Sequence, residues 1–437
     1  MKSLTLMEVA TLLIVLSALL SWINIKFFKL PHAVGLLLMG LMGSLTLIAA
    51  DHYIPGVHFA AELHNAVVGI DFFDTVMNGM LASLLFAAAL HVNVRALRSE
   101  LVPILTLASI GVVISKLVIG FGLWYVGGLL GLGLPLVWAL VFGALISPTD
   151  PVAVLSVLKS VKVPRNLEAK IAGESLFNDG IGVIVFTVLL AVAMATSGYG
   201  LDEHGAFVNT NGGMSVLAVV KLFSIEVFGA IATGTFAGLL FVRMIKGIDD
   251  AAVETLMSIA LVLGTYVLCS TYHMSGPIAV VIAGLIVGNL GANVAMSERT
   301  KKRLFPFWEM ADEVLNSVLF LLIGLEVIVL RIEAGHAYAA LIAIPIVFFG
   351  RLISVFIPVQ IMRSLGRKFS YGTVRIMTWG GVRGGISVAL ALSLPETEYK
   401  ATLLTTTYIV VVFSIIVQGL TIAPVVRYVK ERKPRGA

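Results

Sequence analysis

Glu174, Ser175, Asn178 and Asp179 stand in a stretch, Ile171 to Ala195, that is otherwise almost wholly apolar. On a helix, Ser175, Asn178, Asp179 and Gly182 fall at i, i+3, i+4 and i+7, which is one face, and Glu174 and Asn178 lie one turn apart. An ionisable group at bilayer depth costs at least ~2.5–3.5 kcal/mol, so it rarely sits there without a partner or a task. Carboxylate and hydroxyl oxygens suit a hard cation such as Na+. A carboxylate can hold a proton instead, and burial strengthens that hold because it penalises the charged form. One acid that takes either a proton or a metal ion, but not both, is the smallest device that can exchange the two. A soluble core helix with a capped carboxylate is the plain alternative, but the flanking chain is too apolar to be soluble.

Two further segments break apolar runs. Ser147-Pro148-Thr149-Asp150-Pro151 removes two backbone donors within four residues, which ends a helix and frees carbonyls. Gly380-Gly381-Val382-Arg383-Gly384-Gly385 lets the backbone unwind around a cation. A pair of interrupted spanning segments is the sequence feature that best points to a transporter site. Simple kinks would show the same Pro and Gly residues, but each break also carries a charge. Asp150 and Asp179 then offer two acids on neighbouring helices, with Thr149 and Ser175 adding hydroxyls. Glu174 needs a countercharge. Arg351 is favoured for it, which leaves Arg383 at the crossing of the broken helices with Asn178 and the acids. Asn178 reads as a hydrogen-bonding prop more than a ligand. Lys116 and Lys221 read as snorkelling side chains, and the eight histidines as surface groups.

The elements that must position these residues are helices in lipid. Of 437 residues, 59% are hydrophobic and 13% charged, about half the charge of a soluble domain. Cys269 is the single cysteine, so an intrachain disulfide is excluded. The net charge of +5 does not suggest nucleic acid. Thirteen apolar runs approach bilayer length, roughly 7–25, 31–50, 72–91, 101–126, 134–158, 168–196, 214–244, 251–272, 275–291, 307–330, 337–362, 371–394 and 401–426. Only Tyr272-His273-Met274 separates the eighth from the ninth. With thirteen crossings, 23 Lys and Arg fall in or just beside the loops and tail of one side and three on the other. That asymmetry predicts an outside N-terminus and a cytoplasmic C-terminus. The two broken runs are the fifth and twelfth, an odd offset that inverts one relative to the other.

The three motifs, Ser147–Pro151, Gly173–Gly180 and Gly380–Gly385, closely resemble the signatures of bacterial NhaP-type sodium/proton antiporters. These belong to the monovalent cation:proton antiporter family that includes the animal sodium/proton exchangers. Ser275-Gly276-Pro277, Ala283-Gly284-Leu285 and the run Asn316 to Glu326 look like the same family. The resemblance implies an all-α polytopic membrane protein of about 13 transmembrane helices, with inverted repeats and two discontinuous crossing helices. It implies one transmembrane domain over 1–437. Within it, a core bundle would form from helices near 101–196 and 337–426, and the remaining helices would serve as scaffold and dimer contact. It implies a homodimer in the bacterial cytoplasmic membrane, no cofactor, and Na+ (or K+ or Li+) and H+ as substrates. Asp179 would be the essential ion and proton carrier, Thr149, Asp150 and Ser175 further ligands, and Glu174 with Arg351 the supporting ion pair. Asn178 before Asp179 accompanies electroneutral one-for-one exchange in this family. One departure stands out. Where some relatives carry a membrane-embedded Glu in the third helix, this chain has Phe86-Ala87-Ala88-Ala89-Leu90, so it lacks that carboxylate.

Two rival readings make different demands. A passive cation channel should show a pore loop or repeated filter motif, and an intramembrane aspartyl protease a Gly-x-Gly-Asp motif. Neither pattern is present. A K+/H+ antiporter of the same fold remains the nearest alternative.

Overall fold

The computed structural model describes residues 6–53, 74–92, 102–150, 165–196, 199–201, 207–209, 224–328, 334–367 and 369–432, with isolated residues between them. Each of the thirteen apolar runs contributes helix to this set. In order these are α1 (Leu6–Ile23), α2 (His32–Tyr53), α3 (Leu81–His91), α4 (Val102–Leu129), α5 (Leu136–Leu145), α6 (Arg165–Thr196) and α7 (Ile225–Ile245). Then come α8 (Ala251–Thr271), α9 (Gly276–Val294), α10 (Glu298–Leu325), α11 (Ala334–Ser364), α12a (Thr373–Trp379) with α12b (Gly385–Leu392), and α13 (Lys400–Glu431). Helix is imposed because the hydrocarbon offers no partner to an open backbone group. Nine of these are long and apolar enough to cross a membrane. The other four depart for visible reasons: α3 and α5 are short, α12 is broken, and α10 opens with charge.

Local chemistry sets the ends. Asp250 caps α8, its Oδ1 accepting from Ala252 N at 2.9 Å and Val253 N at 3.2 Å. The close eighth and ninth runs are separate helices. His273 sits in the left-handed region (φ 53°), and Ser275 caps α9 with Pro277 in its first turn. α10 starts nine residues before its apolar run, because Ser297 Oγ caps Thr300 N at 3.1 Å and the first turns lie among charged groups. After α6 the chain forms one small antiparallel pair, β1 (Tyr199–Leu201) with β2 (Phe207–Asn209), which hydropathy did not predict.

The helices fall into two groups by packing. α4 packs on α5 and α11, α5 on α6, and α11 and α12b on α13. Separately, α2 packs on α10, α3 on α9 and α10, and α7 and α8 on α9. Small residues allow the closest approaches. A Cβ added to Gly143 on α5 would stand 2.5 Å from the Lys116 carbonyl oxygen on α4, a contact that larger residues would prevent. Lys116 itself corrects the snorkelling expectation. It is 2% exposed, and its Nζ has no hydrogen-bond partner among the described residues.

Candidate functional site

α5 stops at Leu145, and the chain runs without regular structure through Ser147–Asp150. α12a stops at Trp379, and the glycine-rich break leads to α12b. The two breaks touch: Asp150 N donates to the Val382 carbonyl at 2.7 Å. Arg383 reaches across and donates from Nη1 to the carbonyls of Ser147 (2.5 Å) and Pro148 (3.4 Å). A buried guanidinium thus covers carbonyls that a continuous helix would have satisfied itself. The Arg383 backbone N–H donates to Ser414 Oγ at 3.0 Å, and the Ser414 hydroxyl donates to Gln418 Oε1. Both of these residues lie in a π-helical turn of α13, a form common at functional positions. Ser414 and Gln418 escaped the sequence reading because a lone hydroxyl or amide in an apolar run carries no signal by itself.

α6 lays its polar face along this crossing. Ser175 Oγ lies 3.0 Å from Thr149 Oγ1. Asn178 Nδ2 donates to the Ser147 carbonyl at 3.1 Å and to Thr149 Oγ1 at 3.2 Å. Arg383 and Asn178 therefore share one acceptor, and Asn178 props the break after α5. Asp179 lies beside the Thr149 backbone and within electrostatic reach of Asp150 and Glu174. Asp179 is 6% exposed, and its Oδ1 has no hydrogen-bond partner among the described residues. The same holds for Asn178 Oδ1 and Ser147 Oγ. Acceptor oxygens left bare in a buried site are costly unless something else occupies them.

Glu174, five residues before Asp179, is treated differently. Arg351 on α11 grips it with two hydrogen bonds of 2.7 Å, Nη1 to Oε1 and Nη2 to Oε2. Its Nε donates to the Met377 carbonyl at 3.3 Å, near the end of α12a. Gly381 makes room for this side chain, since a Cβ there would stand 2.4 Å from Arg351 Nε. Gly384 does the same for Asp150, whose Cβ lies 2.6 Å from the position of an added methyl. A cavity of about 260 Å³ is lined by Arg351 and Arg383 with Phe348, Trp379, Val410 and Phe413. The acids do not line it.

Every residue singled out in the sequence (Thr149, Asp150, Glu174, Ser175, Asn178, Asp179, Arg351 and Arg383) thus lies at or beside one crossing. Among the described residues no three His, Cys, Asp or Glu side chains converge as a resident metal would require. The oxygens here are mixed: carboxylate, hydroxyl and amide. Such a set can hold a monovalent cation and release it.

The family model for the transmembrane sodium/hydrogen exchanger matches residues 14–428. The chain belongs to the sodium/hydrogen exchanger family. It is 40% identical over 431 residues to the Na(+)/H(+) antiporter NhaP of Pseudomonas aeruginosa, covering 98% of each chain. It is 35% identical over 409 residues to the Na(+)/H(+) antiporter NhaH of Halobacillus aidingensis, covering 92% of this chain and 93% of that protein. Its fold matches that of the sodium proton antiporter MjNhaP1 from Methanocaldococcus jannaschii with a TM-score of 0.70. That match covers 95% of this chain and 100% of the other at 20% identity, so it speaks to fold alone. This member of the exchanger family is accordingly a multi-pass membrane transporter and not an enzyme.

Proposed function

We propose that the protein exchanges Na+ for H+, one for one, across a bacterial cytoplasmic membrane by alternating access. The observation that carries this reading is Asp179: a buried carboxylate with a bare oxygen, set where two broken helices cross. Thr149, Ser175 and Asp150 complete the oxygen set around the ion. Asn178 holds the break after α5, and Glu174–Arg351 ties α6 to α11. Relatives named Na(+)/H(+) antiporters support sodium as the cation.

The cycle needs a single carboxylate. On one side of the membrane Asp179 takes Na+ and gives up its proton. On the other it takes a proton and releases Na+. Either cargo adds the same single charge to the same site, and Asn178 supplies no second acid. Both loaded forms therefore carry equal charge across, and the membrane potential does not drive the cycle. Moving one net charge would otherwise be worth about 2.3 kcal/mol per 100 mV. Arg383 keeps the carbonyls of the break covered while the helices shift.

The packing of α4, α5, α6, α11, α12 and α13 on one another supports a moving bundle against a scaffold of the remaining helices, through which two copies would pair. The loop cations support an N-terminus outside and a C-terminus in the cytoplasm. Purified protein in liposomes with an imposed pH gradient, an internal pH dye and a clamped potential tests the reading. Na+ is expected to dissipate the gradient at a rate that ignores the potential. A potential-dependent rate would overturn the one-for-one stoichiometry. A response to K+ in place of Na+ would reassign the cation, and no response to Na+, K+ or Li+ would sink the exchange reading.

A further inference from the structure

α10 turns toward the crossing a residue that the exchange cycle leaves unused. Leu319 packs on Gly385, the first residue of α12b; a Cβ added there would stand 2.5 Å from Leu319 Cδ1. The adjacent Gly384 lies against Asp150. Residues 312, 316 and 319 fall at i, i+4 and i+7 on α10, so Asp312 shares the face that Leu319 presses onto the break. Asn316, 5% exposed, donates from Nδ2 to Asp312 Oδ1 at 3.0 Å and to its carbonyl at 2.9 Å. That pair of bonds fixes the carboxylate's direction and leaves its other oxygen out of the clasp. Asp150 is near enough for its charge to act on Asp312. The exposed Glu309 and Glu313 act on Asp312 as well.

Exposure shows where an ion can approach. Thr149, Ser175, Asn178 and Asp179 are buried, whereas Asp150 is half-buried, as is Asp312. An ion bound for Asp179 therefore meets the Asp150 side of the site first. Asp312 faces that side from α10, a helix of the other packing group.

We propose that Asp312 is an affinity-setting residue for the monovalent cation. It raises the local cation concentration beside Asp150 without carrying the ion through the cycle. Charges lining a cleft with low-dielectric walls concentrate counter-ions in this way. The inference rests on the cation-exchange reading. It also supplies a physical role for a carboxylate in a chain that has Ala87 where some relatives place an acid.

The test compares wild type, Asp312→Asn and Asp312→Glu in proteoliposomes, reading initial exchange rate against Na+ concentration. Losing one charge beside the path should raise the apparent KM for Na+ roughly fivefold, with Vmax held to within about twofold. Asp312→Glu should restore most of the affinity, and added choline chloride should shrink the difference, as screening requires. A purely structural role would lower Vmax or yield in both variants and leave KM in place; that outcome overturns the proposal. The same comparison can be read without transport, as the Na+ concentration that half-maximally protects the detergent-purified protein against heat. A midpoint unchanged by Asp312→Asn overturns the inference. Absent exchange in wild type overturns the exchange reading instead.

Discussion

Two carboxylates five residues apart on α6 meet opposite treatment. Glu174 has both oxygens matched by Arg351 at 2.7 Å, and that guanidinium is bonded onward to α12a. Asp179 keeps an oxygen with no hydrogen-bond partner among the described residues, although it is nearly as buried. The same helix, the same apolar surroundings and the same chemical group thus yield a closed pair and an open one. Closure makes Glu174 a strut, because a bidentate charge pair resists displacement and leaves no ligand position. On the exchange reading proposed above, openness gives Asp179 room for cargo. A transport site needs both, since an ion can be exchanged only where one acid is left bare and its surroundings stay put.

The comparison breaks most sharply at Asp179. Asp179→Asn should reduce exchange to the background of empty liposomes while the protein remains in the membrane and melts no lower than wild type. Asp150→Asn should cripple exchange similarly. Retained exchange in Asp179→Asn would remove the distinction between the two acids. Glu174→Gln should behave the other way, because it strands Arg351 as an unpaired buried charge. A loss of about 3–5 kcal/mol is expected, seen as a lower melting temperature and lower yield. The double variant Glu174→Gln with Arg351→Gln should recover part of that loss, and the cycle gives the coupling between the two side chains. Additive losses would deny the strut.

Smaller effects sharpen the boundary between the two regions. Gly384→Ala would put a methyl 2.6 Å from Asp150 Cβ. The resulting shift should slow exchange about tenfold and lower the melting temperature modestly, since overpacking costs about 1–3 kcal/mol. Ser175→Ala removes one hydroxyl from the open side, and the apparent KM for Na+ should rise by roughly threefold. If Ser175→Ala lowered stability and spared KM, the hydroxyl would belong to the strut side instead.

Local pattern determined much of this protein. Thirteen apolar runs became helix because hydropathy is a property of consecutive residues, and lipid leaves the backbone few alternatives. Pro148 and the glycines from Gly380 to Gly385 marked both breaks, because those residue types alter the backbone wherever they stand. The polar face of α6 was legible from its spacing. Pattern also misjudged what depends on neighbours. The charged start of α10 hid two helical turns, and Lys116 looked free to reach the interface but is enclosed. Tertiary structure alone decided the partners. It gave Arg351 to Glu174, 177 residues away, and Arg383 to the Ser147 carbonyl, 236 residues away. It also turned Asp312 toward the crossing. Charge type states that a buried group needs a partner. Which partner it meets is set by helix packing, and that follows from side-chain fit over the whole bundle.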